Sequence, residues 1–295
     1  MAPVTHAFEI ALTYAGRVAL ATGGQLALVL GPAVVLSAVI QPVALRSERW
    51  TQELVGPRRL WLAVGWIATA LHEGAHAALA LLFGHQVTRV KWFDFGAKDG
   101  ALGQVDHQWD PKSFYQRVGR FFIGVAPVLL GVLVLALAAR FLLGVYPSAA
   151  RPVAHVIGPA PLAAAGRSLA AQLGASLHDV GRLVYALDLF RWRTWAFLYA
   201  AYVASTAMRL SASDLRSAGA GMVTIVSLLL IFNALTLWAG AFATTAALHA
   251  ARALALCDTA LVAAIALQAA AGLGALALMR GAAWFRARDA ALARG

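Results

Sequence analysis

The chain has 295 residues, of which 61% are hydrophobic and only 13% are charged, and its formal net charge is +11. Soluble domains carry about 25% charged residues, so the composition excludes an ordinary soluble protein and predicts a polytopic membrane protein. The basic residues lie mostly between apolar segments, which favours membrane anchoring and argues against nucleic-acid binding. Cys257 is the single cysteine, so no intramolecular disulfide can form.

Hydropathy predicts six membrane spans. They are expected at residues 24–41, 60–83, 121–146, 195–210, 222–247 and 254–279. Residues 7–21 are predicted to form a helix at the membrane interface, and an amphipathic surface helix is expected within residues 147–194. The dipeptide Asp99-Gly100 lies between two segments of strand-like composition and predicts a β-hairpin. The expected fold is therefore all-α, with about six transmembrane helices and a small β-hairpin after the second.

The second predicted span contains His72, Glu73 and His76. On a helix, the two histidines lie one turn apart on the same face and can share a zinc ion, while Glu73 is placed to take a proton from water. An ionisable residue inside a membrane helix costs about 2.5–3.5 kcal/mol on insertion scales, so three together indicate a function. The alternative is a pair of buried histidines that only hydrogen-bond to neighbouring helices.

A catalytic zinc usually takes three protein ligands and one water. If the spans cross in order, the second and the fourth run in the same direction, which brings Asp214 to the depth of the histidines. His85 and His107 are on the same side and remain alternatives, whereas the neutral amide of Asn233 is a poor zinc ligand. Asp214 could instead cap the next helix. The remaining acidic and histidine candidates are expected near the opposite surface: His178, Asp179, Asp188 and Asp258.

Residues 60–220 resemble the site-2 protease family of intramembrane metalloproteases. The resemblance consists of the segment HEGAH at 72–76, the hairpin-like segment, the glycine- and proline-containing IGVAPVLLG and an aspartate after the next helix. It implies that His72, His76 and Asp214 bind Zn²⁺ and that Glu73 is the general base. The family often has Leu-Asp-Gly at the aspartate, and this chain has Ser-Ala-Ser-Asp-Leu-Arg. Two regions lie outside the resemblance. The first, residues 1–59, contains the predicted interfacial helix and first span, and the second, residues 221–295, contains the last two predicted spans and a basic tail.

The expected function is hydrolysis of a peptide bond in or near a transmembrane segment of a membrane protein substrate. The hairpin is expected to offer a strand edge to the unwound substrate. A modest excess of Lys and Arg predicts cytosolic termini and a cytosolic opening of the active site, in a bacterial inner (cell) membrane. Two other classes remain open: a membrane scaffold or transporter with buried ion-binding residues, and a protein that binds substrate without cutting it.

Overall fold

The structure, a computed structural model, describes residues 2–94, 102–145, 161–240 and 242–292. These residues are mainly helical, as the sequence predicts, and they include a small two-stranded sheet. The helices are α1 (Ala2–Val55), α2 (Pro57–Leu60), α3 (Trp66–Leu82), α4 (Phe114–Gly124), α5 (Ala126–Ala138), α6 (Pro161–Tyr185), α7 (Trp192–Ala207), α8 (Ala212–Thr236) and α9 (Phe242–Leu292), and the strands are β1 (Gln86–Lys91) and β2 (Gln104–Gln108). Two π-helical turns, Trp61–Gly65 and Ala139–Leu143, precede α3 and extend α5.

Helices α1 and α9 are the longest elements. At 1.5 Å per residue, the 54 residues of α1 measure about 80 Å, against about 30 Å for the hydrocarbon core of a bilayer. The helix continues through Pro32 and Pro42. The predicted interfacial helix at 7–21 and first span at 24–41 are therefore not separate elements, because both belong to one helix, which does contain a segment long and apolar enough to cross a membrane.

Helix α9 packs along α1 in the same direction. Leu28 contacts Leu248 in the first half of the pair, and Ser47 approaches Gly272 in the second half. Two parallel helices that each cross a membrane begin on the same side and end on the other. Such an arrangement puts the N-terminus of α1 and the C-terminus of α9 on opposite faces, whereas the sequence predicts both termini in the cytosol.

Four helical segments among the described residues are long and apolar enough to cross a membrane, namely Glu9–Val55, Ala126–Leu143, Ala212–Thr236 and Ala253–Asp289. This supports a membrane protein but not the predicted count of six spans. Helix α7 has only 16 residues, fewer than the roughly 20 that a perpendicular span needs. Helix α2, the π-helical turn at Trp61–Gly65 and α3 form one continuous helical run over 57–82, which is not among these four segments. The predicted span at 222–247 also contains the break between α8 and α9.

The two strands predicted around Asp99-Gly100 are present and pair in antiparallel register, with Val90 opposite Val105 and Lys91 opposite Gln104. A register shift lies between Val87 and Arg89. The predicted turn itself lies outside the described residues. The sheet follows directly after α3, and the two segments at its loop end, after Lys91 and before Gln104, lie against that helix.

The predicted span at 121–146 is divided into two helices. Helix α4 ends at Gly124 and α5 starts at Ala126, with Val125 between them in a non-helical conformation. Pro127 lies in the first turn of α5, where its missing N–H is tolerated because the first N–H groups of a helix have no partner within it. The break lies at the level of the histidines of α3.

The main core lies between α5 and α7 and includes one face each of α1 and α9. Its buried side chains include Val132, Phe197, Met208 and Leu261. Gly131 allows the close approach of α5 and α7, since a methyl group there would lie 2.5 Å from Cγ of Met208. The sequence predicts an amphipathic surface helix in this region, and it corresponds to α6. Part of the apolar face of α6 packs on this core through side chains such as Leu173.

Candidate metal centre

His72 and His76 lie one turn apart on α3, and their Nε2 atoms are 3.1 Å from each other. His76 is buried and His72 is half-buried. The two rings form an edge-to-face pair with centroids 4.8 Å apart. The spacing of the motif therefore places two imidazole nitrogens at one point between the helices, as the helical period requires.

Each histidine is oriented by a main-chain carbonyl. Nδ1 of His72 lies 2.8 Å from the oxygen of Ala207, and Nδ1 of His76 lies 2.8 Å from the oxygen of Ile123. A carbonyl oxygen can only accept, so Nδ1 carries the hydrogen in both rings. In the neutral rings, both Nε2 atoms then present lone pairs to each other. Metal-ligating histidines usually have such a donor bond from the other ring nitrogen.

The sequence explains why these two carbonyls can accept a bond from a side chain. Ala207 is the last residue of α7, and the final carbonyls of a helix lack partners within it. Ile123 is four residues before Pro127, which has no N–H to donate to it. The acceptor for His72 is therefore a carbonyl at the end of a helix, and the acceptor for His76 is a carbonyl left free by a proline.

Asp214 provides the third group of the centre. Its Oδ1 lies 3.2 Å from Nε2 of His76, and its Oδ2 lies 3.5 Å from Nε2 of His72. Asp214 also forms a capping box with Ser211, whose backbone N–H donates to Oδ2 at 2.7 Å. The capping role and the position beside the histidines, which the sequence left as alternatives, therefore occur together.

The start of α8 is held against α4 by close backbone contacts. A methyl group on Gly124 would lie 2.5 Å from the carbonyl oxygen of Asp214, and one on Gly221 would overlap the backbone of Phe121. The hydroxyl of Ser217 donates to the carbonyl oxygen of Arg120 at 3.2 Å. Two glycines thus allow α8 to approach closely enough for Asp214 to reach the histidines.

The donor atoms of His72, His76 and Asp214 all lie within 4.8 Å of one another, and theirs is the one such cluster of three within the described ranges of the chain. Two nitrogen lone pairs and a carboxylate repel each other unless a positive charge lies between them. A metal cation or a proton can supply that charge. Two imidazoles and a carboxylate suit zinc and related divalent transition ions, and they do not suit Mg²⁺ or Ca²⁺, which prefer oxygen ligands. The residues present therefore fit a zinc ion.

No protein-family model matches the chain, and no curated protein and no solved structure is significantly similar to it. The interpretation of the site therefore depends on its own geometry.

His85 and His107, the alternative third ligands, pair with each other. Their Nδ1 atoms are 2.9 Å apart, and Nε2 of His85 donates to the carbonyl oxygen of Gln116 at 3.0 Å. Burial, followed by the electrostatic effect of the neighbouring His85 imidazole, holds the pKa of His107 below its ordinary value. The pair therefore links β2 to the end of α3 and to α4, and neither histidine belongs to the three-residue cluster.

The other candidates also lie elsewhere. Asn233 donates to Thr22 and to Gln25 at 2.8 Å in a buried polar contact between α8 and α1. The remaining acidic and histidine residues are on α6, after it, or on α9: His178, Asp179, Asp188 and Asp258. None of them is part of the described cluster of three.

Glu73 lies beside the three-residue cluster and lines a cavity of about 310 Å³ together with His72. Only 8% of Glu73 is exposed. The cavity extends along α3 towards Leu60, and its opposite wall comes from α1, including Glu48. A carboxylate beside two imidazoles at the end of a partly apolar cavity has the position expected of a general base.

Sequence reasoning missed several residues of this cavity. Arg209 forms an ion pair with Glu48 across it, and Gln268 of α9 donates to Ser205 at 2.8 Å and lines it as well. Gly103, before β2, contacts Glu73. A charged pair within apolar surroundings is a usable signal for Glu48 and Arg209. No spacing rule identifies Gly103 or Gln268, since both depend on tertiary contacts.

Proposed function

We propose that the protein is an intramembrane zinc metalloprotease of the site-2 protease type, which hydrolyses a peptide bond in or near a transmembrane segment of a membrane protein. The observation that carries the proposal is the convergence of His72, His76 and Asp214 from two separate helices, with Glu73 between this cluster and a cavity. If Asp214 only capped α8, its carboxylate would have no reason to lie beside the lone pairs of two imidazoles, so its position favours metal binding.

In the proposed reaction, His72, His76 and Asp214 hold the metal. A zinc ion bound there supplies a Lewis acid that polarises the scissile carbonyl and acidifies a water molecule. Glu73 accepts a proton from the attacking water and transfers it to the nitrogen of the leaving amine. A carbon–oxygen bond forms as the carbon–nitrogen bond breaks, so the products are a carboxylic acid and an amine.

The cavity restricts the form of the substrate. A helix with its side chains is about 10–12 Å across, and two turns of it occupy far more than the 310 Å³ of the cavity. The space suits a few residues of extended peptide. We therefore propose that the substrate segment unwinds before cleavage, and that the strand segment at Gly103, which lines the cavity, lies beside it.

The distribution of basic residues supports a cytosolic opening. The ends of α1 and α9 lie on the same side, and so does the start of α3, because the chain turns at Gly56. This face carries arginines from α2 and from the last part of α9, namely Arg58, Arg59, Arg280, Arg286 and Arg288. Under the positive-inside rule it is cytosolic. The cavity extends from Glu73 towards this face, so the proposed site opens to the cytosol of a bacterial cell and the N-terminus is external.

The proposed function is tested with purified protein in liposomes, using a panel of single-pass membrane proteins as substrates. Glu73→Gln keeps the size and polarity of the side chain but removes the base. We expect it to retain stoichiometric zinc and to lose at least 10²-fold in cleavage rate, since general-base contributions are about 10²–10⁴-fold. Glu53→Gln, the same substitution at an exposed position of α1, is the matched control. Cleavage by Glu73→Gln at the wild-type rate would exclude the mechanism.

A further inference from the structure

The closest approach of the hairpin to the motif helix is at Gly103, directly before β2. A methyl group on Gly103 would lie 2.6 Å from Cγ of Glu73, 2.9 Å from its Oε1 and 2.7 Å from Cγ2 of Thr69. All three distances are shorter than real methyl contacts. The backbone at 103 therefore lies directly on Glu73, and only a residue without a side chain fits there without a shift.

The segments that follow β1 and precede β2, at the loop end of the hairpin, contact α3 and the π-helical turn before it. The ring of Trp92 packs against Gly74, where an added methyl group would lie 3.4 Å from it. Phe93 forms an edge-to-face contact with Trp61, with ring centroids 6.1 Å apart. The N–H of Asp94 donates to the carbonyl oxygen of Leu102 at 2.7 Å, which joins the two segments. The strand segment at Gly103 thus has a fixed place along the motif helix.

Glu73 lies between this segment and the cavity. Leu102 and Gly103 line the cavity on the same side as Glu73 and His72, and α1 forms the opposite wall. A substrate can therefore reach Glu73 from the cavity without displacement of the hairpin. The side chain of Glu73 rotates about three bonds, and without a neighbour it would sample several rotamers.

We propose that Gly103 is a positioning residue for Glu73. Its lack of a side chain lets the backbone close against Glu73 and hold the carboxylate at the wall of the cavity, next to the metal cluster. The inference rests on the proposed role of Glu73 as general base. It assigns to the hairpin a function in the chemical step, separate from any contact that its strand edge makes with substrate.

The test is Gly103→Ala, measured for zinc content, thermal unfolding and steady-state cleavage. A misplacement of about 1 Å at a catalytic group can cost on the order of 10²-fold in rate. We expect kcat to fall by about 10–100-fold, while KM stays within about twofold and zinc remains stoichiometric, because no ligand is touched. Gly219→Ala on α8 is the matched control, since a methyl group there meets no atom within 4 Å. It should leave all three quantities unchanged.

A second substitution separates displacement of Glu73 from general damage. Thr69→Ala removes the other close atom, so in the double variant Gly103→Ala/Thr69→Ala the new methyl group can move away from Glu73. We expect the double variant to recover at least part of the lost kcat. Wild-type kcat in Gly103→Ala would overturn the proposal. So would loss of fold or zinc in Gly103→Ala that Thr69→Ala does not repair, because Gly103 would then be a packing residue only.

A readout without cleavage keeps this proposal distinct from the proposed function. Dicyclohexylcarbodiimide modifies carboxyl groups in membrane helices, and mass spectrometry can quantify its adduct on Glu73, with Glu73→Gln as the negative control. We expect adduct formation to rise several-fold in Gly103→Ala and to fall again in the double variant. If labelling rises in this way but the wild-type protein cuts no substrate, the proposed protease function is refuted, while the proposed positioning of Glu73 by Gly103 still holds. Equal labelling of all variants would overturn the positioning role.

Discussion

Pro127 gives a sharp test of how the histidines are oriented. The substitution Pro127→Ala introduces an N–H that can donate to the carbonyl oxygen of Ile123, four residues earlier. That oxygen is the acceptor for Nδ1 of His76 at 2.8 Å. The new N–H would compete with the imidazole for one acceptor, and the ring would lose part of its fixed orientation and tautomer.

The substitution should lower both metal affinity and protein stability, and the two effects are measured separately. Loss of an outer-shell partner typically lowers metal affinity about 10–100-fold, which corresponds to about 1.4–2.8 kcal/mol. Pro127 is fully buried, so alanine also removes ring atoms from the core and should lower the free energy of unfolding of the metal-free protein by about 1–2 kcal/mol. Zinc affinity is therefore compared on folded protein, with a variant that loses similar packing elsewhere as the control.

The assay is a zinc competition titration against a chromophoric chelator in detergent, with thermal unfolding of the metal-free protein alongside. Pro32→Ala is the matched control, because Pro32 lies inside α1 and its side chain is fully buried, as that of Pro127 is. It should leave zinc affinity unchanged. Wild-type zinc affinity in Pro127→Ala would show that the carbonyl of Ile123 does not orient the ligand, and the argument from the proline break would be refuted.

Two further predictions concern the third ligand and the topology. Asp214→Ala should reduce bound zinc by at least tenfold, whereas His85→Ala should retain it; zinc analysis of both purified variants checks this, and the reverse result would reassign the ligand. In a Cys257→Ala background, cysteines at positions 58 and 288 should react with an impermeant maleimide from one side of the membrane and a cysteine at position 11 from the other. Labelling of positions 11 and 288 from the same side would contradict the parallel arrangement of α1 and α9.

The sequence was informative about the site because the motif obeys a simple period. The four-residue spacing of His72 and His76 determines a shared helix face, and the direction of successive helices brought Asp214 to the same depth. Capping and metal binding were alternatives for Asp214 in the sequence, and the structure shows a helix that starts there, capped by Ser211, with Asp214 beside the histidines. A short polar stretch before an apolar run predicts a helix start, but it does not show which way the side chain of Asp214 turns.

The span count failed for a different physical reason. Hydropathy detects apolar windows, but it does not detect whether the helix continues between them. Charged residues such as Arg46 and Arg49 end an apolar window without ending a helix, so α1 continues to Val55. The direction of α9 relative to α1 depends on side-chain packing such as that between Ser47 and Gly272. The contact between Gly103 and Glu73 is likewise tertiary and leaves no periodic pattern.

The walls of the cavity impose an order on its assembly during synthesis. The motif helix and Asp214 are both translated before α9, yet Gln268 of α9 completes the wall by donating to Ser205 and Thr206. Until α9 has packed along α1, Gln268 is missing from this wall, and the hydroxyls of Ser205 and Thr206 bond only to the carbonyl oxygen of Tyr202 on their own helix. During synthesis, all the residues of the proposed reaction are therefore present before the cavity is complete. A protein truncated before α9 should be inactive even though it contains all three metal ligands and Glu73.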